Sequence, residues 1–257
     1  MGDLVSVVIP TFNSEKEISR CLESIKRQTH KKIEIIVVDR HSKDRTGEIA
    51  KKYSAMIILD EGERTKAKNI GMKNASGDYV FFIDSDMELE ENVIAECIKA
   101  MGPKTGGVVI PERSIGKSFW VKVRDFERSF YSGSKVESAR FFELETARKA
   151  GGFDEKVVFF EEAALPEKIE RLGLDVMARI KSGILHHEEG FSLSKWLSKK
   201  YYYGKTATRS RQTSVFYRLK LFFGDKRFYS RPVLMTGVII LKSLEIIATV
   251  LGKIIKA

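Results

Sequence analysis

An α/β domain around a mostly parallel sheet, followed by a helical C-terminal region, is the fold class that this sequence predicts. Three observations predict it. Short apolar runs alternate with helix-spaced stripes over the first hundred residues. The runs are apolar at successive positions, as in strands covered by helices on both faces. After Phe191 the chain turns basic and aromatic, then ends in a long apolar stretch.

The elements follow in order. Val5–Ile9 is a first strand, ended by Pro10, and Ile18, Cys21, Leu22 and Ile25 repeat at helical spacing behind it. Ile33–Val38 is a second strand, closed by Asp39; a polar turn and a short helix around Ile49 and Ala50 follow. Ala55–Leu59 is a third strand, Lys66–Ala75 a helix, and Tyr79–Ile83 a fourth strand that ends at Asp84. Val93, Ile94, Cys97, Ile98 and Met101 mark a helix, and Val108–Ile110 is a fifth strand. Phe119, Val123, Phe126 and Phe130 form a helical stripe, Gly151–Asp154 a turn, and Glu161–Leu172 a helix. This pattern divides the chain into an α/β domain over residues 1–190 and a basic, aromatic helical region over 191–257.

Composition is globular, with 43% hydrophobic and 31% charged residues in 257. The net charge of +10 is concentrated: Phe191–Arg231 holds 11 Lys and Arg against one acid, Asp225, while the remainder balances at 34 of each. A tract of that kind meets phosphates, on lipid headgroups or nucleic acid. Cys21 and Cys97 have no metal-type spacing and sit in apolar stripes, as buried thiols do. The opening residues lack the pattern of a signal peptide. No stretch is expected to reach a clean, uninterrupted transmembrane length. In Val233–Ala257 the polar residues Lys242, Glu245, Thr249, Lys253 and Lys256 fall three and four apart. They form one narrow stripe on an otherwise apolar helix, which predicts either a core helix or one lying in a bilayer interface.

Asp84-Ser85-Asp86 follows the apolar strand Tyr-Val-Phe-Phe-Ile. Two carboxylates one residue apart at a strand end can share Mg²⁺ or Mn²⁺ and leave open positions for substrate phosphates. Ligands of parallel sheets bind beyond the carboxyl ends of the strands, which puts Asp39 on the same rim as Asp84. Asp39 could read a nucleotide base or ribose, or simply cap the Ser42–Thr46 turn. Phosphate-loop and dinucleotide fingerprints are absent, which removes ATPase and dehydrogenase readings.

The ordered set VSVVIPTFNSEKEI, EIIVVDRHSKDRT, KAKNIGMKNASGDYVFFIDSDMEL, ARKAGGFDE and FFEEAALPEKIERLG resembles the family 2 glycosyltransferases of GT-A fold, over roughly residues 4–190. The resemblance implies a donor-binding role for Pro10, Thr11 and Glu15, base reading by Asp39, and an approach of Lys68 to the nucleotide. It implies nucleotide and metal contacts for Asp84, metal ligation by Asp86, and a late histidine, His186 or His187, at the metal or diphosphate. The Glu161-Glu162 pair corresponds to the family's Glu-Asp pair, with Glu162 as catalytic base. Arg40 and His41 stand where the family usually has an aspartate and a glycine, and Gln212 does not begin the motif of processive synthases.

The implied activity is inverting transfer of a single sugar from a GDP- or UDP-sugar. A carboxylate takes the acceptor proton and a cation steadies the departing diphosphate. The expected acceptor is a lipid or lipid-linked glycan at the cytoplasmic face of a membrane, with the protein peripheral or monotopic. No nucleic acid is expected as partner, although a nucleic-acid-binding protein is one alternative. A catalytically silent sugar-nucleotide-binding scaffold is the other.

Overall fold

The computed structural model describes residues 3–155, 161–206 and 215–255. Strand and helix alternate through β1 (Val5–Thr11), α1 (Ile18–Lys26), β2 (Ile33–Asp39), α2 (Thr46–Lys52), β3 (Met56–Leu59), α3 (Arg64–Asn74) and β4 (Tyr79–Phe82). Then come β5 (Met87–Leu89), α4 (Val93–Ala100), β6 (Val108–Val109), β7 (Glu112–Ile115), α5 (Phe119–Arg128), β8 (Phe141–Glu143), α6 (Leu144–Lys149) and α7 (Glu161–Glu170). The chain continues with β9 (Ala178–Arg179), β10 (Ile184–His187), α8 (Leu193–Thr206), α9 (Val215–Phe223), α10 (Lys226–Tyr229) and α11 (Pro232–Ile254). These elements form two compact units.

The first unit comprises Met1–Glu112, Ser138–Glu155 and Glu161–His186. Its sheet has seven strands in the order β3-β2-β1-β4-β8-β6-β9. β1 pairs in parallel with β2 and β4, and β2 with β3; β8 runs antiparallel to β4 and β6. The expected mostly parallel sheet is therefore present, with one reversed strand. Strand periodicity sorts the core into two layers. Val5, Val7 and Ile9 face α1 and α4 with Ile18, Cys21, Leu22 and Cys97, whereas Val8, Ile36 and Phe82 pack with Ala67, Met72 and Leu165. Both faces are covered, which is why the strands are apolar at consecutive positions. Both cysteines are free and buried.

The second unit takes its described residues from Arg113–Glu137 and His187–Ala257. The sequence pattern drew a single boundary at residue 190, but α5 sits in this unit because its aromatic stripe has partners there. Phe126 and Phe130 pack against Phe222 and Phe228 at centroid distances of 5.6 to 6.1 Å, mostly edge to face. Beneath them runs a buried ion network. Lys242 bridges Glu127 and Glu245, Trp196 Nε1 donates to Glu245 at 2.7 Å, and Arg124 pairs with Glu188 at 2.5 Å.

One expectation is corrected here. α11 is 23 residues long and is apolar enough, by length and composition, to cross a membrane. Its charges did not interrupt it because Lys242 and Glu245 turn inward, where each meets a counter-charge.

Candidate active site

The site is built in the first unit, where the parallel strands end. Register pairs Thr11 of β1 with Asp39 of β2, and β4 runs on into Asp84, so the three loops share one rim. Ser14 and Ser85 lock two of these loops together through their hydroxyls, 3.0 Å apart. The rim encloses a cleft of about 260 Å³ whose lining includes Pro10, Thr11, Phe12, Arg40, Asp84 and Asp86.

Asp84 is buried among cations. Burial would raise its carboxyl pKa, but Arg64, Lys68, Arg140 and His186 overcome that and hold it well below the usual carboxylate range. Arg64 lies 3.9 Å and Arg140 3.8 Å from its oxygens. Lys68 is itself buried, with Nζ 5.2 Å from the centre of the Phe153 ring. The loop carrying Phe153 is pinned to α3: Asn69 Nδ2 donates to Phe153 O at 3.0 Å and Phe153 N donates back to Asn69 Oδ1 at 2.9 Å. Gly152 makes this possible. Its φ is +63°, and a Cβ there would lie 2.6 Å from Asn69 Oδ1.

Arg140 is the hub of the cluster. Besides Asp84 it pairs with Glu112 at 3.3 Å and with Glu162 at 3.5 Å. His186 joins Glu112 to Asp86, with Nδ1 at 2.7 Å from the first and Nε2 at 3.1 Å from the second. Burial would lower the His186 pKa, but hydrogen bonds to Asp86 and Glu112 raise it to about 9, so the ring is a cation at neutral pH. Four carboxylates, Asp84, Asp86, Glu112 and Glu162, thus face four cations, Arg64, Lys68, Arg140 and His186.

The residues present fit a divalent cation. Asp86 Oδ1 is shielded from solvent and has no hydrogen-bond partner among the described residues, while Oδ2 accepts from His186. A buried carboxylate oxygen left unpaired is costly unless something positive meets it. No ready-made group of three or more His, Cys, Asp or Glu ligands exists among the described residues. The protein would therefore supply part of a coordination sphere through Asp86 and Asp84, leaving the rest to phosphate and water, as Mg²⁺ and Mn²⁺ accept.

The other expected residues are placed differently. Asp39 is buried and accepts from the backbone and hydroxyl of Ser42, the turn-capping alternative. Glu15 accepts from Arg45 N at 3.1 Å and donates its own N–H to Asp44, which ties the loop after β1 to the loop after β2. His187 follows His186 on β10, where successive side chains face opposite ways, and its Nδ1 lies 3.7 Å from Glu189 in the second unit. The Glu161 side chain and Gln212 lie outside the described residues. Sequence reasoning missed Arg140, Glu112 and Arg64, which belong to no quoted motif. Arg40 lies 5.7 Å from the centre of the exposed Phe12 ring and pairs with Glu63. His41 takes φ +51°, a left-handed conformation that accounts for a glycine being usual there.

Comparison with known proteins gives this geometry a family. Glycosyltransferase GlyA of Streptococcus pneumoniae is 31% identical over 166 residues, covering 57% of this chain and 24% of the relative. The chain spans well under half the length of this and similar curated relatives. Among solved structures, the mannosyltransferase PcManGT of Pyrobaculum calidifontis, in complex with GDP-Man and Mn²⁺, matches with a TM-score of 0.63 at 19% identity, covering 93% of this chain and 75% of that one. Staphylococcus aureus TarS 1-349, in complex with UDP, matches at 0.57 and 20% identity over 89% and 72%. The Glycosyl transferase family 2 domain matches residues 6–153, more than half of the sequence, and the chain belongs to that family.

Proposed function

We propose that this protein is an inverting, metal-dependent glycosyltransferase that adds a single sugar from a nucleotide-sugar donor to a membrane-associated acceptor. The observation that carries the reading is the Asp84-Asp86-Glu112-Glu162 cluster, whose two aspartates line a cleft where the parallel strands end. A related fold has been solved with GDP-Man and Mn²⁺ and another with UDP, which supports a GDP- or UDP-sugar donor.

Asp86 and Asp84 would hold Mg²⁺ or Mn²⁺, which when bound offsets charge growing on the leaving diphosphate. Arg64 and Lys68 flank the same carboxylate and would meet the diphosphate oxygens. Phe12 offers an exposed ring at the cleft for the nucleobase, with Arg40 against it. Glu162 is the general base. Its pairing with Arg140 orients the carboxylate, so that it can take the acceptor hydroxyl proton as the acceptor oxygen attacks from the face opposite the leaving group. The basic excess over 191–231 and the apolar α11 support work at a membrane surface on its cytoplasmic face.

The test is donor turnover with Mn²⁺. Release of nucleoside diphosphate, lost on chelation and lost in Glu162→Gln, is the expected result. Donor binding without turnover under every acceptor tried would identify a silent scaffold instead.

A further inference from the structure

The second unit turns α11 inside out relative to a soluble amphipathic helix. Its two central charges face inward, where Lys242 pairs with Glu127 and Glu245, and Glu245 accepts from Trp196; Lys253, in the last turn, is exposed. Its exposed face carries Val233, Ile240, Ile247 and Ile254, seven residues apart and 45 to 70% exposed. Ile239, Ile246 and Val250 widen this stripe, and the small polar residues Thr236 and Ser243 are exposed on the same side. Seven residues are two turns, so the stripe runs straight along the helix for about 32 Å. An apolar surface of that length on a folded protein marks a partner.

Charge and ring chemistry at the start of the helix identify that partner. Lys226 and Arg231 are exposed, and Phe223 and Tyr229 present about half of their surfaces. Cations beside amphipathic rings, leading into an aliphatic stripe, match the layering of an anionic bilayer from headgroup to acyl chain.

Packing decides how the helix meets that bilayer. α8 lies against α11 at backbone contact: a Cβ on Gly204 would meet Thr249 O at 2.2 Å, and one on Gly252 would meet Tyr201 O at 2.1 Å. α8 carries Lys195, Lys199, Lys200 and Lys205. A spanning α11 would draw these lysines to bilayer depth, at roughly 2.5–3.5 kcal/mol each near the centre. A helix lying flat submerges only its outward stripe.

We infer that α11 is a monotopic anchor, lying in the plane of one leaflet of an anionic membrane with its stripe among the acyl chains and Lys226 and Arg231 at the headgroups. This rests on the membrane half of the proposed function and not on its catalytic half.

Deleting α11 would remove Val238 and Leu241 from the core, so the test uses outward positions only. The full chain is floated with phosphatidylcholine vesicles, with and without phosphatidylglycerol. Ile240→Lys with Ile247→Lys is expected to weaken binding at least 100-fold. Lys226→Ala with Arg231→Ala is expected to weaken it about thirtyfold, and only on the anionic vesicles. Melting curves confirm folding of each variant. Fluorophores on Ile240→Cys, Ile247→Cys and Ile254→Cys then report depth through quenching by brominated lipids; equal depth at all three is the expected result. Depth graded from 240 to 254 would mean a spanning helix and overturn the inference. Vesicle binding unchanged in the lysine variant would overturn it too. So would light scattering that shows a dimer lost in that variant without lipid binding, which assigns the stripe to a second copy. Donor turnover to water in the same samples reports the catalytic reading separately.

Discussion

Each unit of this protein holds a cluster of opposite charges, buried in the second and partly exposed in the first, and the two clusters are finished differently. In the second unit every carboxylate of the network meets a cation or a hydroxyl: Glu127 meets Lys242 and Tyr131, Glu245 meets Lys242 and Trp196, and Glu188 meets Arg124. In the first unit four carboxylates sit among Arg64, Lys68, Arg140 and His186, the cluster opens on a cleft, and Asp86 Oδ1 is left without a partner among the described residues. Residue types alone do not tell these clusters apart. A closed network holds helices in register, whereas an open one keeps electrostatic capacity for something that arrives.

The comparison breaks most sharply in the first unit. Glu162→Gln preserves shape and removes basicity, so turnover is expected to fall by roughly 10²–10⁴ while donor affinity stays near its starting value. Single-turnover kinetics and calorimetric titration separate those two outcomes. Asp86→Ala is expected to abolish the Mn²⁺ dependence of donor binding without loss of fold; unchanged titrations in the variant would remove Asp86 from the site.

In the second unit the same operation should unfold rather than inactivate. Lys242→Met leaves Glu127 and Glu245 buried without their cation and is expected to cost about 3–5 kcal/mol, read as a drop in the denaturant midpoint. A variant in which Lys242→Met, Glu127→Gln and Glu245→Gln are combined should recover much of the loss, because no unpaired charge remains.

The pH dependence of the metal-free protein sharpens the contrast. His186 has its pKa raised above the ordinary imidazole value to about 9, so its bridge between Asp86 and Glu112 contributes fully below about pH 6.5. That contribution is lost as pH rises through 9, because the folded state holds the proton longer than the unfolded one. Melting temperature in chelator is therefore expected to fall from pH 6.5 to 9.5, and to fall less in His186→Gln. The smallest effect belongs to His41. Glycine there relieves the left-handed backbone strain, so His41→Gly is expected to stabilise by about 0.5–1 kcal/mol, measured by the same melts.

Much of the first unit was legible in the sequence, and for local reasons. Apolar runs such as Val5–Ile9 and Ile33–Val38 have one burial state on both faces, so their strands show without tertiary information. Asp84 and Asp86 were legible because a strand end delivers them to the rim. Arg140 was not: it follows Ala139 in an unremarkable loop and gains meaning only where the chain reverses into β8 beside β4. The Asp39 turn was legible as two alternatives, of which the structure displays the cap, through the backbone and hydroxyl of Ser42.

The C-terminal region divides in the same way. Spacing alone determined that Lys242, Glu245 and Thr249 share one side of a helix, because three and four residues make about one turn. Which side faces outward was decided by tertiary structure, since a polar stripe goes to water unless buried counter-charges await it. Glu127, more than a hundred residues earlier, supplies one of them, and Trp196 supplies a donor. Pairs so far apart in the chain leave no periodic trace, because periodicity records only what one helix or strand does with its own neighbours.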